Sequence, residues 1–148
     1  MRRTAILTTA TLFLVVAATA ATVARPDSEE EAVRATVELY FQGMMEASPE
    51  ALREAFHADA RLIGLGRDGE VMIIPFEKWA SGWEGRDARD PEIYVNAIVD
   101  VDVHGTAASA KTDLKWPTVR YIDYLSLLKV DGEWVIVNKI WTEEAPEG

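Results

Sequence analysis

The sequence predicts an α+β domain in which about three N-terminal helices pack on a curved antiparallel sheet. Residues 31–45 place apolar side chains at helical spacing, whereas residues 95–141 alternate apolar and polar side chains with the period of strands. Asp131 and Gly132 lie between two of these alternating segments, and Asp-Gly is a strong hairpin signal. A run of helices followed by a run of strands is typical of this class.

The first 24 residues have the layout of a secretory signal peptide. Arg2 and Arg3 give a positive start, residues 4–24 are uncharged, and small residues ending at Ala20 or Ala24 fit a cleavage site. An uncleaved membrane anchor is the alternative, because the uncharged stretch can span a bilayer at about 1.5 Å per residue. We expect a signal peptide over 1–24, an acidic leader over 25–30, one domain over 31–143 and a tail over 144–148.

Composition excludes several classes of function. The 148 residues have a net charge of −10, which lacks the basic footprint that nucleic-acid binding needs. The absence of cysteine excludes disulfides, thiol nucleophiles and thiolate zinc sites. With only two histidines and no cysteine, we expect no metal site. No Gly-rich phosphate-binding loop is present, and we expect no cofactor. We expect a secreted or periplasmic protein with no stable membrane association once the signal is cleaved.

The helices are predicted from caps and periodicity. Ser28 and Glu31 have the spacing of a capping box, in which each side chain binds a free amide at a helix start. Apolar side chains then recur at helical spacing: Val33, Val37, Tyr40, Phe41, Met44 and Met45. Ser48 and Pro49 predict a second helix, because serine is a preferred cap and proline fits the first helical position. A short third helix is predicted over residues 76–83.

Strands dominate the second half of the predicted domain. Two short strands are expected over residues 61–65 and 71–74, ahead of the third helix. Two further strands are predicted from apolar side chains that alternate with polar ones: Val95, Ala97, Val99, Val101 and Val103 on the first, and Ala108, Ala110, Thr112, Leu114 and Trp116 on the second. Residues 119–130 and 133–141 form the last two strands.

The Asp131-Gly132 turn predicts the register of the last hairpin. It pairs Val130 with Glu133, and counting back pairs Leu127 with Ile136, Leu125 with Asn138, Tyr124 with Lys139 and Asp123 with Ile140. Both sides of this ribbon are too apolar to face water. The helices cover one side, and a second subunit is an economical cover for the other. We therefore expect a homodimer through the sheet.

The chain resembles a known family in two blocks of sequence. These blocks are residues 55–60, Ala-Phe-His-Ala-Asp-Ala, and residues 123–139, which contain the Asp131-Gly132 turn. They are similar to the putative lumazine-binding branch of the nuclear transport factor 2-like superfamily, a relative of SnoaL-like and ketosteroid isomerase-like domains. The resemblance covers residues 31–141. It implies a cone-shaped fold with a helix-capped pocket and commonly a dimer, but no activity, because such folds include enzymes and binding modules.

Asp123 is the sharpest candidate for chemistry. The predicted register places it with Asn138 on the side of the sheet under the helices. Burial among apolar side chains disfavours the charged form of a carboxyl group and makes it a better general base. Tyr121 or Tyr40 would supply a hydroxyl donor beside it. The alternative is a structural role, in which Asp123 accepts hydrogen bonds from an arginine or from backbone amides.

His57 and Asp59 are a second candidate pair. In an extended chain both side chains point the same way, so an acid–base pair or half of a metal site is conceivable. The alternative is a histidine at a helix end that caps the following turn. His104 lies at a predicted turn, where we expect it to be solvated.

Trp79 and Trp83 lie four residues apart on the predicted third helix. Their rings would line or cover a pocket suited to a flat ligand, with Tyr40 and Asn138 as further ligand-binding candidates. Plain core packing is the alternative for both tryptophans.

Three functions of different classes fit the sequence. The first is an exported module that binds a small hydrophobic or flat aromatic molecule in an apolar pocket. The second is a small isomerase, dehydratase or cyclase with Asp123 as the base and Tyr121 or His57 as the donor. The third is a structural or interaction domain whose pocket is filled by its own side chains.

Overall fold

The computed structural model describes residues 28–66 and 68–146. Its elements in chain order are α1 (Glu29–Met45), α2 (Pro49–Ala55), β1 (Phe56–Leu65), β2 (Val71–Pro75), α3 (Phe76–Ser81), β3 (Val95–His104), β4 (Ala107–Trp116), β5 (Val119–Val130) and β6 (Glu133–Glu144). The predicted α+β class and element order are confirmed. The predicted signal peptide lies outside the described residues. No helix in the described part of the chain is long and apolar enough to cross a membrane.

The predicted caps fix the starts of α1 and α2. The Ser28 hydroxyl accepts a hydrogen bond from the Glu31 amide at 3.1 Å, and the Glu31 carboxylate accepts one from the Ser28 amide at 3.1 Å. The Ser48 hydroxyl accepts a hydrogen bond from the Ala51 amide at 3.2 Å, and Pro49 begins α2. Each cap contributes roughly 1 kcal/mol, because it satisfies an amide that has no partner within the helix.

The sheet has six strands in the order β2-β1-β6-β5-β4-β3. Neighbouring strands are antiparallel except β1 and β6, which are parallel. β1 begins at Phe56, five residues before its predicted start at Arg61, because Phe56 already pairs with Ile136 of β6. The three helices cover one face of the sheet, and the core lies between these two layers.

The predicted turn of the last hairpin is confirmed. Asp131 has a φ of 50° and Gly132 a φ of 91°, as a two-residue turn with positive φ at both positions requires. Val130 therefore pairs with Glu133, and Leu127 pairs with Ile136, as counted from the sequence.

A β-bulge in β6 changes the register beyond these pairs. Ser126 pairs with Asn138, directly after Leu127 has paired with Ile136, so Val137 is an extra residue on β6. The remaining predicted pairs are wrong by one residue along β6. In the structure, Leu125 pairs with Lys139, Tyr124 with Ile140 and Asp123 with Trp141.

The bulge exchanges the faces of the second half of β6, because a shift of one residue turns every side chain to the opposite face. Lys139 is buried, and Trp141 faces the same side. Asn138 and Ile140 were expected beside Asp123, and that expectation is wrong. Ile140 is instead 46% exposed on the outer face.

A second bulge corrects the prediction for β3. The register shifts between Ile98 and Asp100, where Val99 is the extra residue. Val101 packs against the core as predicted, whereas Val95 and Val99 are exposed. Strict alternation in the sequence cannot reveal such an inserted residue.

Candidate functional site

A cavity of about 240 Å³ opens between the helices and the inner face of the sheet. It lies below the range of roughly 300–1,000 Å³ that is typical of drug-sized ligands. Its size therefore suits a small molecule of one or two rings. The side chains that line it are Tyr40, Met44, Leu62, Ile74, Trp79, Trp83, Arg86, Arg89, Leu114, Trp116, Tyr121, Lys139, Trp141 and Glu143.

Six of the fourteen side chains that line the cavity are aromatic. Trp79 and Trp83, on and just after α3, meet edge to face with 5.7 Å between ring centroids. Trp116 and Tyr121 meet in the same way at 5.1 Å on the opposite wall. Edge-to-face pairs at these distances are mutually stabilising and hold each ring in a defined orientation. The cavity thus presents rigid apolar surfaces that suit a planar ligand.

Three buried polar side chains meet beside the cavity. The Tyr40 hydroxyl donates a hydrogen bond to Asp123 Oδ2 at 2.7 Å. The Lys139 ammonium donates to the Tyr40 hydroxyl oxygen at 2.6 Å and to Asp123 Oδ2 at 3.1 Å. Tyr40 lies on α1, Asp123 on β5 and Lys139 on β6, so these side chains meet only in the folded protein. We refer to these three residues as the triad.

Within the triad, the side chains have different access to the cavity. Tyr40 and Lys139 line it, whereas Asp123 is fully buried behind them. Asp123 Oδ1 and the Thr112 hydroxyl are both buried without a hydrogen-bond partner in the described part of the chain. These two residues face each other across β4 and β5.

Burial governs the protonation of Tyr40. Removal from water raises the pKa of its phenol well above the usual range, and the negative charge of Asp123 raises it further. Tyr40 therefore stays neutral and acts as a hydrogen-bond donor to Asp123 at any ordinary pH.

Two arginines make the mouth of the cavity positive. Arg89 stacks between three rings, with its guanidinium carbon 4.2 Å from the centroid of Trp116, 4.7 Å from Trp83 and 4.8 Å from Tyr94. Burial lowers the pKa of the Arg89 guanidinium, but a guanidinium stays charged in proteins. Arg86 lies 5.2 Å over the Trp83 ring.

The backbone around α1 and α3 positions these guanidinium groups. Arg89 donates through its amide to the Met45 carbonyl at 2.7 Å and through Nε to the Met44 carbonyl at 3.3 Å. Arg86 Nε donates to the Gly82 carbonyl at 2.6 Å. Neither guanidinium forms an ion pair with a carboxylate in the described ranges 28–66 and 68–146. Both charges are consequently available to a ligand.

Tyr121 and Glu143 face each other near the same mouth. They are paired across β5 and β6, and both line the cavity. Burial raises the pKa of the Tyr121 phenol, and the charge of Glu143 raises it further. Tyr121 is therefore a neutral hydroxyl within the cavity wall.

Five of the seven predicted site residues lie together at the cavity. Tyr40, Tyr121, Trp79 and Trp83 line it, and Asp123 lies directly behind Tyr40 and Lys139. The predicted partnership of Asp123 with a tyrosine hydroxyl is met by Tyr40. The cation that pairs with Asp123 is Lys139, whereas the structural alternative expected an arginine or backbone amides.

His57 and Asn138 lie outside the cavity. His57 is at the start of β1, where its Nδ1 accepts a hydrogen bond from the Asp59 amide at 3.2 Å. Its Nδ1 also lies 3.9 Å from Asp59 Oδ2, so the two side chains are close to each other, but both are on β1 and outside the cavity. Asn138 does not line the cavity, because the bulge at Val137 places Lys139 there instead.

The residues that sequence reasoning missed are Lys139, Trp141, Trp116, Arg86 and Arg89. The first two were assigned to the wrong face because a bulge cannot be read from the hairpin count. The arginines lie in a charged loop with no periodic signal. In the described ranges, no group of three or more histidine, aspartate or glutamate side chains is placed to hold a metal ion.

Comparisons with known proteins agree with the fold. The family model described as "Putative lumazine-binding" matches residues 28–142. The chain is similar to aldolase FrzH of Cladobotryum sp, with 35% identity over 121 residues that cover 77% of this chain and 90% of that protein.

Solved structures extend the likeness. An NTF2-like protein of unknown function from Shewanella baltica OS155 is 30% identical, with a TM-score of 0.71 over 78% of this chain and 94% of that one. A ketosteroid isomerase-like protein from Erwinia carotovora atroseptica SCRI1043 has a TM-score of 0.63 over 81% of this chain and 99% of that one. At 16% identity, the second shows a shared fold alone.

Proposed function

Because this chain belongs to the putative lumazine-binding family of nuclear transport factor 2-like proteins, we propose that it binds a small, flat, anionic aromatic molecule. The observation that supports this most strongly is a small cavity with aromatic walls and two arginines at its mouth. Flat rings stack on flat ligands, and guanidinium groups bind carboxylates with paired hydrogen bonds.

The local charge favours an anion in particular. The chain as a whole has a net charge of −10, but the cavity lining includes Arg86, Arg89 and Lys139 against Glu143 alone. Lys139 is already paired with Asp123, which leaves the two arginines for the ligand. A carboxylate at the mouth and a ring system between Trp79 and Trp141 would use both features of the site.

Ligand titration tests this proposal. We expect 2-naphthoate and lumazine to change the tryptophan fluorescence in a saturable way, and 2-naphthalenemethanol, which has no charge, to bind at least about tenfold more weakly. Arg86→Gln should remove most of the preference for 2-naphthoate. Arg61→Gln is the matched control, because it removes the same charge from an exposed position outside the cavity. Equal affinity for the acid and the alcohol would contradict the proposal.

Turnover of a carbonyl compound is the second candidate function. The triad supplies an amine, a carboxylate and a phenol at one wall of the cavity, and the Cladobotryum relative is an aldolase. Asp123 does not line the cavity, so its role as a base would be exercised through Lys139 or Tyr40. The Asp123→Asn variant tests this function: it should still bind the ligand but no longer turn over the carbonyl compound.

We also propose export and a homodimer. The outer face of the sheet has exposed apolar side chains that a second subunit would cover, among them Tyr124, Leu128, Val130 and Ile140. Sedimentation of the mature protein should give a dimer, and Ile140→Lys a monomer. Ile93→Lys, at an exposed position in the loop before β3, should remain dimeric. A wild-type monomer at micromolar concentration would contradict the interface.

A further inference from the structure

We infer that Lys139 is a nucleophilic amine that forms an imine with an aromatic aldehyde held in the cavity, an inference that rests on the proposed binding function. The observation behind it is the position of a single amine at the junction of the aromatic cavity and a buried carboxyl group.

The surroundings of Lys139 differ from those of the other lysines in the described ranges. Lys139 is 7% exposed, and the other four are more accessible to solvent: Lys78, Lys111, Lys115 and Lys129. Lys139 Nζ lies 5.1 Å, 5.5 Å and 5.8 Å from the ring centroids of Tyr40, Trp79 and Trp141. A flat aldehyde in the cavity would therefore meet an amine shielded from bulk water, where hydrolysis of an imine is slowed.

Asp123 is placed to take the proton that the amine must lose. The distance from Lys139 Nζ to Asp123 Oδ2 is 3.1 Å, within range for direct transfer. The transfer turns a buried ion pair into a neutral pair and removes the cost of desolvating two charges.

The neutral carboxyl group would also use two polar atoms that are otherwise unpaired. Asp123 Oδ1 and Thr112 Oγ1 are both buried without a partner in the described part of the chain. The two residues are directly opposite each other on β5 and β4, where side chains are close enough to interact. With the transferred proton on Oδ2, Oδ1 is the carbonyl oxygen of a neutral carboxyl group, and the Thr112 hydroxyl is the donor that lies opposite it on β4.

Imine formation between Lys139 and the aldehyde needs no external oxidant or reductant. The lone pair of Nζ attacks the carbonyl carbon, a C–N bond forms, and the π pair of the carbonyl moves to oxygen. A proton passes from nitrogen to that oxygen and gives a carbinolamine. Asp123 returns its proton to the hydroxyl group, which leaves as water, so an ammonium and an aldehyde give an iminium ion and water.

Reductive trapping tests the inference on the intact protein. The probe is 6-formyl-2-naphthoate with sodium cyanoborohydride, which donates a hydride and converts the iminium into a stable secondary amine. We expect peptide mapping to find Lys139 modified at least about tenfold faster than Lys78, Lys111, Lys115 or Lys129. Lys139→Arg should lose this fast phase, and the wild-type map decides the question by itself if that variant does not fold.

Saturating 2-naphthoate, which has no aldehyde, separates this inference from the proposed binding function. It should bind and suppress the fast labelling of Lys139. Binding of 2-naphthoate without preferential labelling of Lys139 would overturn the imine and leave the binding proposal intact. Absence of binding would overturn the binding proposal itself. Fast labelling that 2-naphthoate does not suppress would also overturn the inference, because the reactive amine would then lie outside the ligand site.

Discussion

Replacing Lys139 by methionine should destabilise the protein strongly, because it leaves the carboxyl group of Asp123 buried without a cation. Methionine keeps an unbranched apolar stem of similar length and removes only the ammonium group. Asp123 has no exposed surface, and Tyr40 would be its remaining side-chain partner. Its second oxygen has none in the described residues.

The expected magnitude follows from this geometry. Breaking a buried ion pair by removing one partner costs about 3–5 kcal/mol. For a domain of this size, that corresponds to a fall of roughly 10–20 °C in Tm. Removing both charges, in Lys139→Met with Asp123→Leu, should cost less than the single change. The double variant still loses about 1–3 kcal/mol, because the buried Tyr40 hydroxyl then lacks its acceptor.

Urea unfolding followed by circular dichroism measures these differences, with unchanged m values as the check that two-state unfolding is retained. Lys111→Met is the matched control. Its ammonium lies 5.5 Å from the centroid of the Tyr124 ring, on the outer face, and its removal should cost less than about 1 kcal/mol. A Lys139→Met variant as stable as this control, or a double variant less stable than the single one, would show that Lys139 does not compensate the buried charge of Asp123.

Three further predictions concern the cavity wall, an ion pair and the N-terminus. In Gly64→Ala the new Cβ would lie 2.6 Å from the Trp141 ring, so the ring must move. We expect the free energy of unfolding in urea to fall by about 1–3 kcal/mol and 2-naphthoate to bind more weakly. The hydrogen bonds from Arg120 to Asp113, at 2.8 Å and 2.7 Å, lower the pKa of Asp113. The pair therefore stabilises the folded protein at pH values above 3.8, the pKa of the Asp113 carboxyl group in the unfolded chain. This stabilisation is lost as the pH falls through the lower pKa that the group has in the folded protein. The stability difference between wild type and Asp113→Asn should be about 1 kcal/mol at pH 7 and should decrease as the pH falls below 3.8; a constant difference would contradict this. The exported protein should begin at Arg25 in N-terminal sequencing, and an intact Met1 would favour the uncleaved anchor.

Most of the fold could be predicted from the sequence because the signals are local. Ser28 with Glu31 and Ser48 with Pro49 identify the starts of α1 and α2, and Asp131-Gly132 identifies the last turn. Caps and tight turns depend on a few neighbouring residues, so the sequence contains the information that determines them.

The site was predicted less completely because it depends on one bulge in β6 and on the loop after α3. An extra residue at Val137 reverses the faces of the residues after it, and nothing in the alternation of β6 indicates where it lies. The burial of Asp123 could be predicted from the alternation along β5, which has no bulge, whereas its partner Tyr40 lies on α1 and was offered only as an alternative to Tyr121. Lys139 was placed opposite the wrong residue, and so the triad that gives the cavity its chemistry was missed.

NMR of the tryptophan indole N–H groups shows directly whether a flat anionic ligand occupies the cavity. The chain has five tryptophans. Trp79, Trp83, Trp116 and Trp141 line the cavity. Trp134 lies elsewhere, with its indole N–H donating to Glu29 at 2.8 Å, and serves as the internal control. Titration with 2-naphthoate should shift the four cavity resonances with one common Kd and leave that of Trp134 in place. Unchanged cavity resonances, or equal shifts of all five, would show that 2-naphthoate does not bind in the cavity.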